Sequence, residues 1–402
     1  MATDGGLSKV RLERLRNVLG GYVERGYVAG LVALVSRRGE THVETIGLQS
    51  RERGEPIRRD TIFRIASMTK PITAVAAMIL VEECKLRLDE PIDRLIPELA
   101  NRRVLKRIDG PLEDTEAARR PITLRDLLTF RMGFGMVMAP PDRYPIQQAI
   151  TKLELAGLKP RPPHGPDEWI RRLATLPLMH QPGERWMYHT GSDVLGVLIA
   201  RAAGQPFETF LEERVFGPLA MKDTGHFVPS GKLGRFASCY QANPQTGALE
   251  LYDDAQDSQW SHPPPFPSGG GGLVSTIDDY LAFGRMMLNK GRVGRERILA
   301  RRTIEAMVTD YLTPEQKAVS GFFLPAFWDN HGWGLGLSLV TRRVSATIAP
   351  GQFGWDGAFG THWCSDLAED MVSVLMVQRA PALAPSTLHG DFDMLAYQAI
   401  ED

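Results

Sequence analysis

A serine and a lysine three residues apart, Ser67 and Lys70, have a spacing that could support catalysis. In a helix, side chains at positions i and i+3 lie on one face, about 5–6 Å apart at Cβ, so the amine can reach the hydroxyl. A serine hydroxyl is a weak nucleophile until a neighbouring base activates it. Burial can lower a lysine pKa from about 10.4 to near 7, which makes the amine a proton acceptor. The pair therefore predicts a nucleophile and its activator, although the same spacing also arises by chance.

The element that must position this pair is the apolar stretch at residues 72–81. A stretch without a polar face predicts a helix that is buried on all sides. The positive end of its dipole would stabilise a negatively charged oxygen at Ser67. Pro71 removes a backbone donor close to the first turn, which argues against a helix that begins at Ser67 itself. The sequence thus predicts Ser67 at the N-terminal mouth of a buried helix, with Lys70 beside it.

The charge balance limits the partners of the chain. Its 402 residues include 47 Lys and Arg against 48 Asp and Glu, without a long run of one sign. This balance argues against nucleic acid and against an anionic membrane surface, and favours a small-molecule substrate. The three cysteines, Cys84, Cys239 and Cys364, are an odd number and widely separated, so we expect reduced core residues rather than disulfides.

Targeting and cofactor patterns give negative predictions. The first seven residues lack a basic region followed by an apolar run, and no stretch approaches 18 apolar residues, so a cytoplasmic protein without a membrane partner is expected. The glycine run 269–272 is not followed by Lys and Ser or Thr, which argues against a phosphate-binding loop. The nine histidines include no His-Glu-x-x-His pair and no Cys/His cluster. We therefore predict no metal and no cofactor.

Hydrophobic periodicity predicts helices and strands that alternate unevenly along the chain. The stretch 138–167 is rich in proline and is predicted to be a loop, either a wall facing the substrate or a plain connector, and 222–261 is rich in turns. Helices are predicted at residues 7–25, 92–99, 123–130, 168–176, 192–203, 206–216, 276–289 and 390–400, and strands at 31–36, 41–46, 334–340, 361–365 and 371–378.

Strands near both chain ends, with helices between them, predict an α/β (α+β) fold. One antiparallel sheet would be built from the two ends and flanked by their helices, and a largely helical domain would be inserted. The Pro/Gly-rich segment 262–272 marks the expected return to the sheet. We therefore predict a sheet domain of residues 1–95 and 268–402 and a mostly helical domain of residues 96–267.

Two further stretches carry candidate site residues. Tyr188 precedes a predicted turn and helix, a place where a tyrosine usually serves packing. Residues 354–360 contain three glycines, which would let a ligand approach a strand edge closely.

Together with residues 63–71, these stretches resemble the serine β-lactamase and penicillin-binding-protein superfamily, in its class C branch, and are most similar to family VIII carboxylesterases. The resemblance implies a β-lactamase/transpeptidase-like fold with the active site between the two domains. It implies that Ser67 is acylated, and that Lys70 and Tyr188 share the base role in an undecided order. It also implies an oxyanion hole from the backbone N–H groups of Ser67 and Ala358.

Departures from the class C pattern indicate the substrate. Trp355, Asp356 and Gly357 stand where class C enzymes have Lys-Thr-Gly, so the cation that would hold a substrate carboxylate is missing. His189 and Thr190 replace the usual Ser-Asn, which weakens the case for lactam or amide recognition. The resemblance then implies a serine carboxylesterase for small-molecule, short-chain acyl esters, with the Trp-Asp-Gly stretch binding substrate. Alternatives are an acyltransferase, a β-lactamase, or a hydrolase of amides or D-amino-acid peptides.

Overall fold

The computed structural model describes residues 5–321, 326–380 and 387–402, so the N-terminal segment searched for a leader lies partly outside the described residues. The strands are β1 (Gly30–Arg37), β2 (Glu40–Ser50), β3 (Glu55–Pro56), β4 (Phe63–Arg64), β5 (Arg103–Leu105), β6 (Thr115–Ala117), β7 (Cys239–Ala242), β8 (Leu249–Asp253), β9 (Val274–Ser275), β10 (Arg292–Val293), β11 (Glu296–Arg297), β12 (His331–Trp333), β13 (Ser338–Val340), β14 (Gln352–Asp356), β15 (His362–Asp366), β16 (Met371–Val377) and β17 (Arg379–Ala380).

The α-helices lie before, between and after these strands. They are α1 (Lys9–Glu24), α2 (Thr69–Glu82), α3 (Leu124–Leu128), α4 (Pro145–Lys152), α5 (Pro166–Ala174), α6 (Thr190–Ala203), α7 (Phe207–Leu211), α8 (Gly217–Leu219), α9 (Ile277–Leu288), α10 (Arg301–Met307), α11 (Pro314–Val319) and α12 (Thr387–Gln398). Among the described residues, none of these helices has both the length and the apolar character required to cross a bilayer.

An eight-stranded antiparallel sheet joins the two ends of the chain. Its strand order is β12-β13-β14-β15-β16-β1-β2-β3. The join lies at β1 and β16, where Val32 is opposite Met376. The predicted antiparallel sheet and the hairpin of β1 and β2 are confirmed.

Helices cover both faces of the sheet at this join. On one side, α1 and α12 form an apolar cluster with the central strands that includes Leu15, Leu31, Leu375 and Phe392. On the other side, α9 packs against β15 and β16. Because neither face meets water, every residue of β1 and β16 is buried, and both strands are apolar except for Ser36, Arg37 and Ser373.

Helix α2 is buried at every position from Thr69 to Leu80, as its uniformly apolar sequence predicts. A 3₁₀ turn over Ala66–Met68 precedes it. Pro71 therefore falls in the first helical turn, where its missing N–H would have no intrahelical partner.

Several local predictions were wrong. Residues 92–99 form two separate 3₁₀ turns, Ile92–Arg94 and Pro97–Leu99, because Pro97 begins a new turn instead of continuing a helix. The predicted loop at 138–167 contains α4, which has a proline in its first turn and the side chain of Gln147 bonded back to the Tyr144 N–H.

Long-range pairing explains two further differences. The turn-rich region 222–261 contains β7 and β8, which are completed by β17 from the far end of the chain. The strand predicted at 334–340 is confined to β13 because Gly334 N–H bonds to the Leu337 carbonyl in a turn. All three cysteines are free, but Cys84 is exposed rather than in the core, since its left-handed backbone (φ 59°) ends the helix.

A buried arginine ties the segment before Ser67 to distant parts of the chain. The Arg64 guanidinium donates to the Asp253 carboxylate, to the Ala237 carbonyl and to the amide oxygen of Gln378. Arg64 and Asp253 are both almost completely buried. Removing one partner of a buried ion pair leaves the other charge without compensation, which is costly.

We expect the Arg64→Met substitution to lower the free energy of unfolding by about 3 kcal/mol, the lower end of the range for a broken buried pair, because Lys159 also contacts Asp253. Arg59→Met is the matched control, since its pair with Asp278 is about half exposed and should contribute less than about 1 kcal/mol. Urea unfolding followed by tryptophan fluorescence measures both losses. Equal losses in the two variants would contradict the expectation.

Candidate active site

Ser67 lies in the tight turn that leads from β4 into α2. The preceding residue, Ala66, has a left-handed backbone with φ 43°, which is unfavourable for a residue with a Cβ. Backbone strain of this kind persists only where surrounding structure imposes it, and it is common at functional sites. Here the Ile65 N–H is held by the Leu273 carbonyl, and the Tyr280 hydroxyl donates to the Met68 carbonyl.

The Lys70 amine is completely buried next to Ser67. Its Nζ is 2.9 Å from Ser67 Oγ and 3.1 Å from His189 Nδ1, and it donates to the Gly270 carbonyl. Burial lowers the pKa of Lys70 to about 7, although the negative charge of Asp193 opposes this shift. A substantial fraction of Lys70 is therefore neutral at neutral pH.

A neutral Lys70 has two N–H donors and one lone pair, and its three neighbours match that set. The Gly270 carbonyl can only accept, and His189 Nδ1 can accept when the imidazole proton is on Nε2. That tautomer also fits the other side of the ring, because Nε2 is 3.2 Å from the Asp193 carboxylate. The lone pair of Lys70 then remains for the proton of Ser67.

His189 and Asp193 were not predicted as site residues. His189 has a left-handed backbone (φ 82°) directly before α6, and Asp193 lies in the first turn of that helix. The Asp193 carboxylate accepts from Ser268 Oγ at 2.6 Å and from Gly270 N at 2.9 Å. Burial raises the pKa of Asp193, but His189, Ser268 and Lys70 lower it further, so the carboxylate is ionised. The i, i+4 spacing of His189 and Asp193, directly after Tyr188, is the sequence signal that could have indicated them.

Tyr188 lies against the same amine. Lys70 Nζ is 4.4 Å from the centre of the Tyr188 ring, and the phenol is hydrogen-bonded to Ser67. Trp355 donates its indole N–H to the Tyr188 oxygen over 2.8 Å. Burial raises the pKa of Tyr188 well above 10, so the phenol keeps its proton at neutral pH. Of four residues singled out in the sequence, Ser67, Lys70 and Tyr188 thus contact one another, and Trp355 joins them through Tyr188.

The turn after β14, which carries Ala358, packs on the strand that precedes Ser67. A Cβ on Gly357 would lie 2.4 Å from the Ile65 carbonyl oxygen and 2.1 Å from Thr361 Oγ1, so only glycine fits there without displacement. Thr361 Oγ1 also donates to the Ile65 carbonyl at 3.3 Å. These contacts fix the turn against the nucleophile segment.

Trp355 and Asp356 point to opposite faces of β14, as neighbouring strand residues do. Trp355 faces Tyr188, whereas the Asp356 carboxylate is 2.6 Å from His362 Nδ1 on β15. The structure therefore separates these two predicted substrate-binding residues.

The chain is similar to known proteins over most of its length. A profile of the Beta-lactamase family matches residues 15–398. Esterase EstB of Burkholderia gladioli is 32% identical over 380 residues, which cover 88% of this chain and 86% of that protein. The chain belongs to the Beta-lactamase family. Another relative, an uncharacterized protein of Mycobacterium tuberculosis, is 41% identical over 367 residues, with 90% of this chain and 88% of that protein covered.

A solved structure shares the fold of this chain. EstCE1, described as a hydrolase with promiscuous acyltransferase activity, superposes with a TM-score of 0.77 at 23% identity, covering 96% of this chain and 98% of its own. The predicted β-lactamase/transpeptidase-like fold and the resemblance to the esterase branch are confirmed. This member of the Beta-lactamase family is an esterase-like serine hydrolase.

We expect kcat/KM for an uncharged ester to fall about tenfold per pH unit below pH 7, because the free enzyme must hold Lys70 neutral. In Asp193→Asn the charge that raises the Lys70 pKa is lost, so the acidic limb should move to lower pH. Asp278→Asn, a change at an exposed pair with Arg59, is the control. A limb that stays in place or moves to higher pH in Asp193→Asn would contradict this assignment.

We expect Trp355→Phe to lower kcat by about five- to tenfold, the value of one buried hydrogen bond of about 1 kcal/mol, because the Tyr188 oxygen loses its donor. Trp363→Phe is a matched control, since this buried indole donates to Ser365 at 3.0 Å instead. Steady-state rates and thermal unfolding of both variants distinguish a misoriented Tyr188 hydroxyl from a less stable protein. The expectation fails if both variants lose the same activity.

Proposed function

We propose that the chain is a serine carboxylesterase that hydrolyses small-molecule, short-chain acyl esters through an acyl-enzyme on Ser67. The observation that carries the proposal is the 2.9 Å contact between Ser67 Oγ and a buried amine whose pKa is lowered to about 7. A nucleophile in reach of a neutral base is the requirement for covalent acyl transfer. Neither a metal nor a cofactor enters the proposed steps.

In the first step, the Lys70 lone pair accepts the Ser67 proton while Oγ bonds to the ester carbonyl carbon. We assign the base role to Lys70 rather than Tyr188, because burial lowers one pKa and raises the other. The resulting ammonium has three stabilising neighbours. The Gly270 carbonyl and His189 Nδ1 accept from it, and the negative charge of Asp193 lies nearby.

The negative charge of the tetrahedral intermediate needs donors. We propose that the backbone N–H groups of Ser67 and Ala358 supply them, since the turn with Ala358 packs against Ile65. A donor of this kind lowers the barrier by about 3–4 kcal/mol in serine hydrolases.

Collapse of the intermediate breaks the bond to the leaving alkoxide, which needs a proton. Tyr188 is suited to give it, because its O–H is oriented by the indole donor of Trp355 and hydrogen-bonded to Ser67. Tyr188 recovers a proton from the Lys70 ammonium. In the second step, water attacks the acyl carbon. Lys70 and Tyr188 accept the proton of the water and return a proton to Ser67 Oγ, so the acid is released and Ser67 is restored.

The walls of the site favour an uncharged acyl group. Trp355 occupies the position of the missing lysine, and an aromatic cluster of Phe130, Trp186, Tyr188 and Trp333 surrounds it. An apolar wall without a cation binds short alkyl groups more favourably than carboxylates. Gly357 belongs to the same proposed substrate-binding edge. The Asp356 carboxylate faces His362 and not this wall, so we propose no direct contact between it and the substrate.

We further propose that the site lies between a sheet domain of residues 1–95 and 268–402 and a mostly helical domain of residues 96–267. Ser67 and Trp355 come from the first unit, and Tyr188 from the second. Their contacts support a site that depends on both.

The test compares wild type with Ser67→Ala on p-nitrophenyl butyrate and on nitrocefin. We expect wild type to hydrolyse the ester, and Ser67→Ala to lose at least about a thousandfold in kcat because no nucleophile remains. A fluorophosphonate should add one phosphonyl group to Ser67, as seen by peptide mass spectrometry. Ser36→Ala, a buried hydroxyl in β1 away from the site, is the control.

The outcomes separate the alternatives. Equal ester hydrolysis by wild type and Ser67→Ala would refute the proposal. Faster turnover of nitrocefin than of the ester would indicate a β-lactamase. If added alcohol diverts most of the acyl group from water, the acyl-enzyme is retained and the physiological reaction is an acyl transfer.

A further inference from the structure

Three potential metal ligands meet on the face of the sheet opposite Trp355. Asp356, His362 and His389 each offer one ligand atom, and these atoms lie within 4.8 Å of one another. Asp356 and His362 are paired across β14 and β15, and His389 comes from α12. A fourth residue, Asp393 of α12, has its carboxylate 3.1 Å from His362 Nε2.

The outer partners of both imidazoles are those of metal-bound histidines. His389 Nε2 is 2.8 Å from the Gly360 carbonyl, which can only accept, so this nitrogen carries the proton and Nδ1 keeps its lone pair. Asp393 accepts in the same way from His362 Nε2, which leaves Nδ1 as the nitrogen that faces Asp356. A ligating histidine typically donates its other N–H to a carbonyl or a carboxylate, which fixes the ring and raises its basicity.

The contact between His362 and Asp356 is the form of the site without an ion. His362 Nδ1 lies 2.6 Å from an Asp356 carboxylate oxygen, and the carboxylates of Asp393 and Asp356 raise the pKa of His362 despite its burial. A metal must displace the shared proton, because a ligating imidazole offers a lone pair. His389 brings a third ligand atom within 4.8 Å of the other two, and a proton shared by His362 and Asp356 leaves that atom unused.

We propose that Asp356, His362 and His389 form a binding site for a divalent transition metal of the zinc class. Two imidazoles and one carboxylate are a donor set that suits zinc, with water in a fourth position. A tetrahedral zinc with bonds of about 2.0–2.1 Å separates its ligand atoms by roughly 3.3 Å. Zinc therefore fits within the 4.8 Å limit of this cluster once the 2.6 Å contact between Asp356 and His362 opens. The Asp356 side chain is half exposed, so an ion has access from solvent.

The location gives the metal a structural role. Asp356 and His362 stand on either side of the turn that carries Ala358, and His389 holds the Gly360 carbonyl of that turn. An ion bound to both strands and to α12 would therefore brace the proposed oxyanion turn from behind, without contact with the substrate.

The experiment uses the full chain without a histidine tag, stripped with a chelator and titrated with zinc chloride by calorimetry. We expect one zinc per chain, a higher midpoint of thermal unfolding with zinc because binding stabilises the folded state, and a four-coordinate visible spectrum with cobalt. His389→Ala and Asp356→Asn should each weaken zinc binding at least tenfold. His42→Ala is the control, because His42 faces a single carboxylate on the surface of β2.

Two results would overturn the proposal. One is a wild type that binds zinc no more tightly than His389→Ala does. The other is a stoichiometric zinc whose affinity falls in His42→Ala but not in Asp356→Asn. Circular dichroism of the variants verifies folding, and the wild-type titration decides the matter even if a variant fails to fold.

Discussion

The amine of Lys70 is held out of water, and the proposed chemistry depends on this burial. An ammonium in such a place loses hydration, which is why its pKa falls to about 7. The penalty is limited because the amine contacts Ser67, His189 and the Gly270 carbonyl, so each hydrogen-bonding position has a partner. The turn at Ala66, the glycine run 269–272 and the start of α6 bring these partners together.

The hydrogen bonds around the amine have one consistent direction. Asp193 accepts from His189, His189 accepts from Lys70, and the Trp355 indole can only donate to Tyr188. The resemblance places Trp355 where class C enzymes have a lysine, and a neutral indole adds no positive charge beside the phenol. Burial lowers the pKa of Lys70 and raises that of Tyr188, and on this ground we propose Lys70 as the base and Tyr188 as the proton donor.

Local sequence patterns predict much of the fold but only part of the candidate active site. The apolar run of α2, the hairpin of β1 and β2 and the spacing of Ser67 and Lys70 are properties of short segments, and they could be predicted. The strands β7 and β8 could not, because they are completed by β17 more than 100 residues away. The same holds for the proposed ligands Asp356, His362 and His389, since the fold assembles them from β14, β15 and α12 and no sequence spacing describes them. Resemblance supplied Tyr188 and Ala358, which periodicity alone would have left as packing residues.

The pairing of β1 with β16 has a consequence for biosynthesis. Leu31 is opposite Val377, so the middle of the sheet stays open until synthesis has passed Val377 and this strand has left the ribosome. Until then β1 and β2 expose an apolar edge that invites association with other nascent chains. Contacts of such long sequence separation also slow folding. Successful production of the protein should therefore depend on protection of its early hairpin, by a chaperone or by slow synthesis, more than on the stability of the finished molecule.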